Sequence, residues 1–224
     1  NLGNLLKQRD DLDGAIDFYR RAIAAKPRLP QPHVNLGNAL RAKGELAGAL
    51  GSLRSAIELD RGSAEAHWNL AHILLLQGQL AEGWREYEWR IKCREFRDQN
   101  WDHGKPRWDG TALTAKTILL YAERGIGDAI QFIRYVPLAA ARARGVVVKC
   151  PASLARLFKS VKGVRNAGPD ANRLALFAAE APLLSLPGLF GTDLDTVPAE
   201  VPYLAPPAEG PTFDFPADPA GGGP

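Results

Sequence analysis

Along the first hundred positions, apolar and small residues return three or four apart, the spacing of one helix face, and the pattern recurs every 34 residues. Asn1-Leu2-Gly3-Asn4, Asn35-Leu36-Gly37-Asn38 and Asn69-Leu70-Ala71-His72 mark the recurring start. Ala15 and Ala49, Tyr19, Leu53 and Tyr87, Ala22 and Ala56, and Gly44 and Gly78 keep the same register. The small residues Gly3, Gly37, Ala15, Ala49, Ala22 and Ala56 belong where antiparallel helices approach closely, and the larger apolar ones fill the layer between them. The register predicts helices over 1–9, 12–25, 30–43, 46–59, 64–77 and 80–95, paired into stacked hairpins. Pro27, Pro30 and Pro32 break the first pair from the second, and Arg61-Gly62-Ser63 the second from the third, with Ser63 or Asp60 as caps. Asp10, Asp11 and Asp13 sit at the first turn as caps and solvated charges.

From Lys116 the pattern changes to short apolar runs bounded by glycine. Thr117 to Tyr121 reads as a buried strand, Gly125 to Gly127 as a tight loop, Asp128 to Arg144 as a helix and Val146 to Lys149 as the second strand, which is a βαβ unit. Ser153 to Val161 reads as a helix, Gly163 to Ala167 as a short strand and Leu174 to Ala179 as another. Prolines and glycines accumulate towards Pro224, and disorder is expected after Pro206. The fold class is therefore α followed by α/β: an α-solenoid of repeats over 1–97, an aromatic linker over 98–116, a Rossmann-like parallel half-domain over 117–206 and a tail over 207–224.

Composition narrows the functions available. The 224 residues carry 28 basic and 25 acidic side chains, a net charge of +3 with both signs interleaved, which gives no electrostatic footprint for nucleic acid. The apolar stretches fall far short of the roughly 20 residues that a membrane span requires. Two cysteines, Cys93 and Cys150, fall in separate predicted domains, which fits reduced thiols and a cytoplasmic location. Methionine is absent and the chain opens inside a repeat, so a fragment of a longer parent is expected. The histidines and cysteines lack metal-ligand spacing, and no metal is expected. All five tryptophans lie between Trp68 and Trp108. Trp84, Tyr87, Trp89, Trp101 and Trp108 crowd the end of the last hairpin, whose apolar face must be covered; rigid docking onto the next domain is one reading, and simple filling of the third hairpin the other.

Two places carry candidate chemistry. The loop Glu123-Arg124-Gly125-Ile126-Gly127-Asp128 joins strand to helix at the edge where open α/β sheets bind ligands. Gly125 and Gly127 permit a sharp turn, Glu123 and Arg124 flank it, and Asp128 is read first as an N-cap. A dinucleotide fingerprint is disfavoured, because Ile130 stands where its third glycine would fall and the second strand ends in Lys149-Cys150 rather than an acid. On the repeats, Asn1, Asn35 and Asn69 form one ladder and Asn4, Asn38 and His72 a second. Asparagine carries both donor and acceptor and can hold the backbone of an extended peptide; it can equally bond within or between the helices.

The small-residue pattern with proline after the second helix resembles the tetratricopeptide repeat, over about 97 residues. Arg61 departs from the expected proline, and Gly83 and Arg90 stand where alanines stood before, so the third repeat is an atypical end unit. Trp84-Arg85-Glu86-Tyr87-Glu88-Trp89-Arg90, Pro106-Arg107-Trp108-Asp109-Gly110, Lys116 to Leu120, Glu123 to Asp128, Gln131-Phe132-Ile133-Arg134-Tyr135, Pro182 to Pro187 and Val197 to Leu204 together resemble bacterial proteins that join such repeats to a glycosyltransferase-like domain. The α/β part is similar to the acceptor-side lobe of the heptosyltransferase family, which has the two-lobed GT-B fold. The resemblance implies that Gly127 and Asp128 match a glycine-aspartate pair associated with a general base, and that repeat-bearing O-linked sugar transferases share the asparagine ladder. It also implies a missing second lobe, so a nucleotide-sugar donor is expected only in the full-length parent, with no cofactor in this fragment. The fragment is expected to bind a protein or peptide partner without turnover. A non-catalytic interaction scaffold is the competing reading.

Overall fold

The computed structural model describes residues 11–96, 102–123, 125–174 and 176–205. They divide between a helical unit, drawn from Asn1–Gly110 and Leu184–Pro198, and an α/β unit, drawn from Thr111–Leu183 and Ala199–Pro224. The predicted helix over 1–9, Trp101, Arg124 and the tail over 207–224 lie outside the described residues.

In the helical unit, α1 (Leu12–Ala25), α2 (Pro30–Lys43), α3 (Leu46–Leu59) and α4 (Ala64–Leu76) fall where the periodicity puts them. Their core is the predicted one. Ala15, Ala49, Leu53, Ala56, Ile73 and Leu74 are wholly buried, and Tyr19 nearly so. The close approach is visible at Gly37, where a Cβ would come 2.7 Å from Leu53 Cγ and 3.3 Å from the Ala49 carbonyl oxygen. Gly44 caps α2 in the left-handed region at φ +85°, which a side chain would disfavour. Asp11 caps α1, its Oδ1 accepting the Gly14 N–H at 2.9 Å. Ser63 occupies the N-cap position of α4 without a side-chain bond. Asp60 instead ends α3, and its Oδ1 accepts the Gly62 N–H at 2.9 Å.

The last helix departs from expectation. α5 (Leu80–Tyr87) stops short of residue 95 and continues as 3-10 turns over Glu88–Lys92 and Arg94–Phe96. Arg90 is the cause on steric grounds: it holds the position of Ala22 and Ala56, and a guanidinium cannot enter a space made for a methyl group. Its side chain is nonetheless fully buried. It donates to the Tyr87 carbonyl at 3.2 Å, the Glu88 carboxylate at 2.7 Å and Ser185 Oγ at 3.0 Å, and its guanidinium lies 4.7 Å from the Tyr87 ring centre. Ser185 in turn donates to the other Glu88 oxygen at 3.0 Å.

Ser185 marks a second departure. The sequence reading places 98–116 in a linker and 117–206 in one lobe, whereas Leu184–Pro198 groups with the helical unit. There α10 (Leu186–Leu189) packs on α5, and Leu186 is fully buried. Trp108 meets Phe190 edge-on at 5.8 Å, and a Cβ on Gly188 would touch Trp84 at 3.4 Å. A solenoid's end exposes an apolar face, and a segment remote in sequence covers it here.

The α/β unit runs β1 (Leu113–Tyr121), α6 (Ile126–Phe132), α7 (Val136–Ala141), β2 (Ala143–Lys149), α8 (Ala152–Phe158), β3 (Val164–Gly168), α9 (Ala171–Leu174) and β4 (Ala179–Pro182). The four strands are all parallel, in the order β3-β2-β1-β4. Ile118 to Leu120 and Val146 to Val148 are buried on both faces, which is why both strands read as unbroken apolar runs.

Two predicted elements are corrected. The single helix over 128–144 is split into α6, a 3-10 turn at Ile133–Tyr135 and α7, with Pro137 in the first turn of α7, where its missing N–H costs least. The strand predicted at Leu174 to Ala179 starts at Ala179, and residues 171–174 are helical. Leu176 is 97% exposed, so the apolar run was not the buried one; β4 instead carries Glu180 opposite Leu119 and ends at Pro182.

Candidate functional site

In the α/β unit, strand order locates the candidate loop. The chain moves outward from β1 to β2 to β3, then returns to place β4 on the other side of β1. The carboxyl end of β1 is therefore the point where the winding reverses, the usual position of a ligand crevice in an open parallel sheet. The segment from Ala122 to Asp128 emerges there, tied down by the Ala122 N–H donating to the Lys149 carbonyl at 2.8 Å.

The predicted N-cap role of Asp128 is not realised. α6 begins at Ile126, two residues earlier than expected, so Gly125 is its N-cap and no side chain caps it. Asp128 lies in the first turn and folds back over Gly125, where a Cβ would fall 2.5 Å from Asp128 Oδ2. The carboxylate is exposed, Glu123 is half-buried and a Cβ on Gly127 would meet open space. An accessible carboxylate at this rim can accept a proton from a hydroxyl brought to it. Arg124 lies outside the described residues.

On the helical unit, equivalent positions stand side by side. Gln31 Nε2 on α2 donates to Glu65 Oε2 on α4 at 3.4 Å, a contact between residues 34 apart, and to Asn35 Oδ1 at 3.3 Å. Asn35 and Asn38 are half-buried on α2, and Asn69 on α4 is 7% exposed. Asn38 Oδ1 and Trp68 Nε1 are shielded from water and have no hydrogen-bond partner among the described residues. His72 is half-buried, its Nδ1 donating to the Trp68 carbonyl at 2.8 Å, which leaves Nε2 as an acceptor. Burial, helped by the Arg41 charge, pulls the His72 pKa below its ordinary 6.5, against the pull of that carbonyl. Trp68, Phe96 and Tyr87 surround this face, with edge-to-face contacts from Trp68 to His72 and Phe96 and from Tyr87 to His72. The structure thus brings Asn35, Asn38, Asn69 and His72 onto two neighbouring helices, while Asn1 and Asn4 lie outside the described residues.

Sequence reasoning missed a second repeated pair. His33 Nε2 donates to the Pro27 carbonyl at 3.2 Å and His67 Nε2 to the Arg61 carbonyl at 3.1 Å, so each ring fastens the turn before its helix. The same 34-residue interval relates His33 to His67 and Pro27 to Arg61, and was the available signal. His67 also bonds the Glu86 carboxylate through Nδ1 and stacks on Trp89 at 4.0 Å. These histidines are structural. Among the described residues no group of three His, Cys, Asp or Glu side chains could hold a metal ion.

A TPR repeat family model matches residues 3–40 and again 37–78. The helical unit is built of TPR repeats. Solved structures similar to this chain share the motif. The first TPR of Spaghetti (RPAP3) bound to an HSP90 peptide is 23% identical, covers 43% of this chain and 78% of its own, and has a TM-score of 0.40. The Yersinia enterocolitica type III secretion chaperone SycD in complex with a peptide of the translocator YopD is 19% identical, covers 43% and 77%, and scores 0.41. MamA is 24% identical, covers 43% and 57%, and scores 0.39. No curated protein matches the sequence. Among the described residues no helix is long and apolar enough to cross a membrane.

Proposed function

We propose that the TPR helices bind a protein or peptide along the α2 and α4 face, and that the α/β unit derives from the acceptor side of a nucleotide-sugar-dependent transferase. One observation carries the first part: equivalent residues on α2 and α4 are close enough for Gln31 to bond Glu65. Asn35 with Asn69, and Asn38 with His72, therefore repeat donors and acceptors along a line, which suits the alternating amides and carbonyls of an extended chain. Asn38 Oδ1 and Trp68 Nε1, both without partners among the described residues, are an acceptor and a donor that such a chain can satisfy. Affinity selection from a peptide library, followed by titration of the best binder, tests this. Replacing Asn38 and His72 together by Ala is expected to weaken binding at least about tenfold, and unchanged affinity overturns the proposal.

For the α/β unit, the reading rests on the loop at the winding reversal, with Asp128 accepting a proton from an acceptor hydroxyl. Incubating the full-length protein with labelled nucleotide-sugars is expected to give transfer that Asp128→Ala abolishes. The open exposure of Asp128 favours a second reading, an interaction scaffold whose α/β unit has no chemistry. Peptide binding without transfer from any donor identifies the scaffold.

A further inference from the structure

The turn between α4 and α5 and the turn after α10 wall a groove of about 510 Å³ in the helical unit, lined by residues 78–82 on one side and 193–195 on the other. The groove presents apolar surface to water. Leu194 is 73% exposed, Val197 36%, and Leu76, two residues before the wall at Gly78, is 72% exposed. Leu80 and Ala81 form part of the floor.

Leu194 is held out rather than left loose. Thr192, 3% exposed, donates its N–H to the Pro187 carbonyl at 2.8 Å. Asp193 Oδ1 accepts from the Asp195 N–H at 3.0 Å, the Thr196 N–H at 2.9 Å and Thr196 Oγ1 at 2.7 Å. A turn fixed this firmly keeps a leucine in water at a standing solvation cost, and covering it by a partner recovers that cost with little further ordering. An exposed apolar groove rimmed by polar groups is the usual form of an interaction surface.

The rim decides the occupant. Asp193 and Asp195 flank Leu194, and Glu82 lies across the groove, 3.6 Å from Arg54. This acidity is local, because the chain as a whole carries +3. We infer that the groove docks a basic amphipathic segment of another protein, with an apolar side chain seated against Leu194, Leu80 and Ala81 and flanking lysines or arginines facing the carboxylates. An anionic membrane surface is repelled by the same rim. The site lies on different residues from the α2 and α4 face.

The test uses the whole chain and a fluorescein-labelled synthetic helix with leucines on one face and lysines on the other, followed by anisotropy. Leu194→Ser and Asp195→Lys alter exposed side chains, so both variants are expected to keep the wild-type melting curve. Each is expected to weaken binding about tenfold, binding to fall with salt, and the glutamate analogue of the peptide not to bind. Asn38→Ala with His72→Ala is expected to leave this affinity unchanged, which separates it from the groove proposed above. Equal binding by wild type and both variants, or equal binding of the glutamate analogue, overturns the inference. Concentration-dependent dimerisation lost in Leu194→Ser also overturns it, by making a second copy the occupant.

Discussion

The repeats hold His72 as a neutral ring. Its Nδ1 proton is committed to the Trp68 carbonyl, its ring is packed against Trp68 and Tyr87, and burial disfavours the charged form. The sign of the pH dependence follows. Just below pH 6.5 the unfolded chain takes up a proton at His72 that the folded chain refuses, so acid favours unfolding, and the contribution is fully present only above that pH. The melting temperature is expected to fall between about pH 7.5 and about pH 5, and His72→Gln to lose part of that fall. Parallel circular dichroism melts check this, and identical pH profiles for the two proteins refute it. Cys150 shows the opposite case: burial pushes its thiol up to about 11, a buried and unreactive side chain at the end of β2 rather than a nucleophile.

Capping separates two residues that look alike in the sequence. Asp11 bonds the Gly14 amide, while Ser63 holds the same kind of position with no side-chain bond. Asp11→Ala is therefore expected to cost about 1 kcal/mol and Ser63→Ala less than about 0.5 kcal/mol, measured by chemical denaturation. Equal losses would refute the distinction. The elements themselves were legible to different degrees. α1 to α4 were readable because helix periodicity and the 34-residue interval agree independently at Ala15, Ala49, Leu53 and Ala56. β1 and β2 were readable because burial on both faces demands unbroken apolar runs. β4 was not, since its pairing with β1 is made by a segment holding Glu180 and Pro182, while the more apolar Leu176 points to water. The switch from helix to 3-10 turns after Tyr87 was signalled by Arg90 in a small-residue position, but its length depends on what the guanidinium finds to bond.

Over the whole molecule, the helical unit is discontinuous in sequence. A chain ending at Gly110 lacks Ser185, Leu186 and Phe190, and so uncovers Trp84, Trp108 and one side of the buried Arg90. Such a chain is expected to melt below the full protein and to bind a hydrophobic dye. In the full protein, Arg90→Ala is expected to cost roughly 3 kcal/mol, because it opens a cavity and leaves Glu88 and Ser185 without their shared donor. Equal melting temperatures for the full and shortened chains refute the covering role of Leu184–Pro198.

The candidate sites divide along the same line. Periodicity alone placed Asn35, Asn38, Asn69 and His72 on one helix face, because residues 34 apart must recur in a stacked array, and strand grammar alone put the Glu123 to Asp128 loop at a strand-to-helix junction. Only the folded chain decided that β4 returns beside β1, which makes that junction the winding reversal, that Gly125 rather than Asp128 begins the helix, and that Asn69 is more buried than Asn35. It also decided that Leu184–Pro198 completes the repeat unit. Local pattern fixes what each segment can be. Contacts between segments remote in sequence depend on which surfaces remain uncovered once every element has formed, and no window of neighbouring residues contains that information.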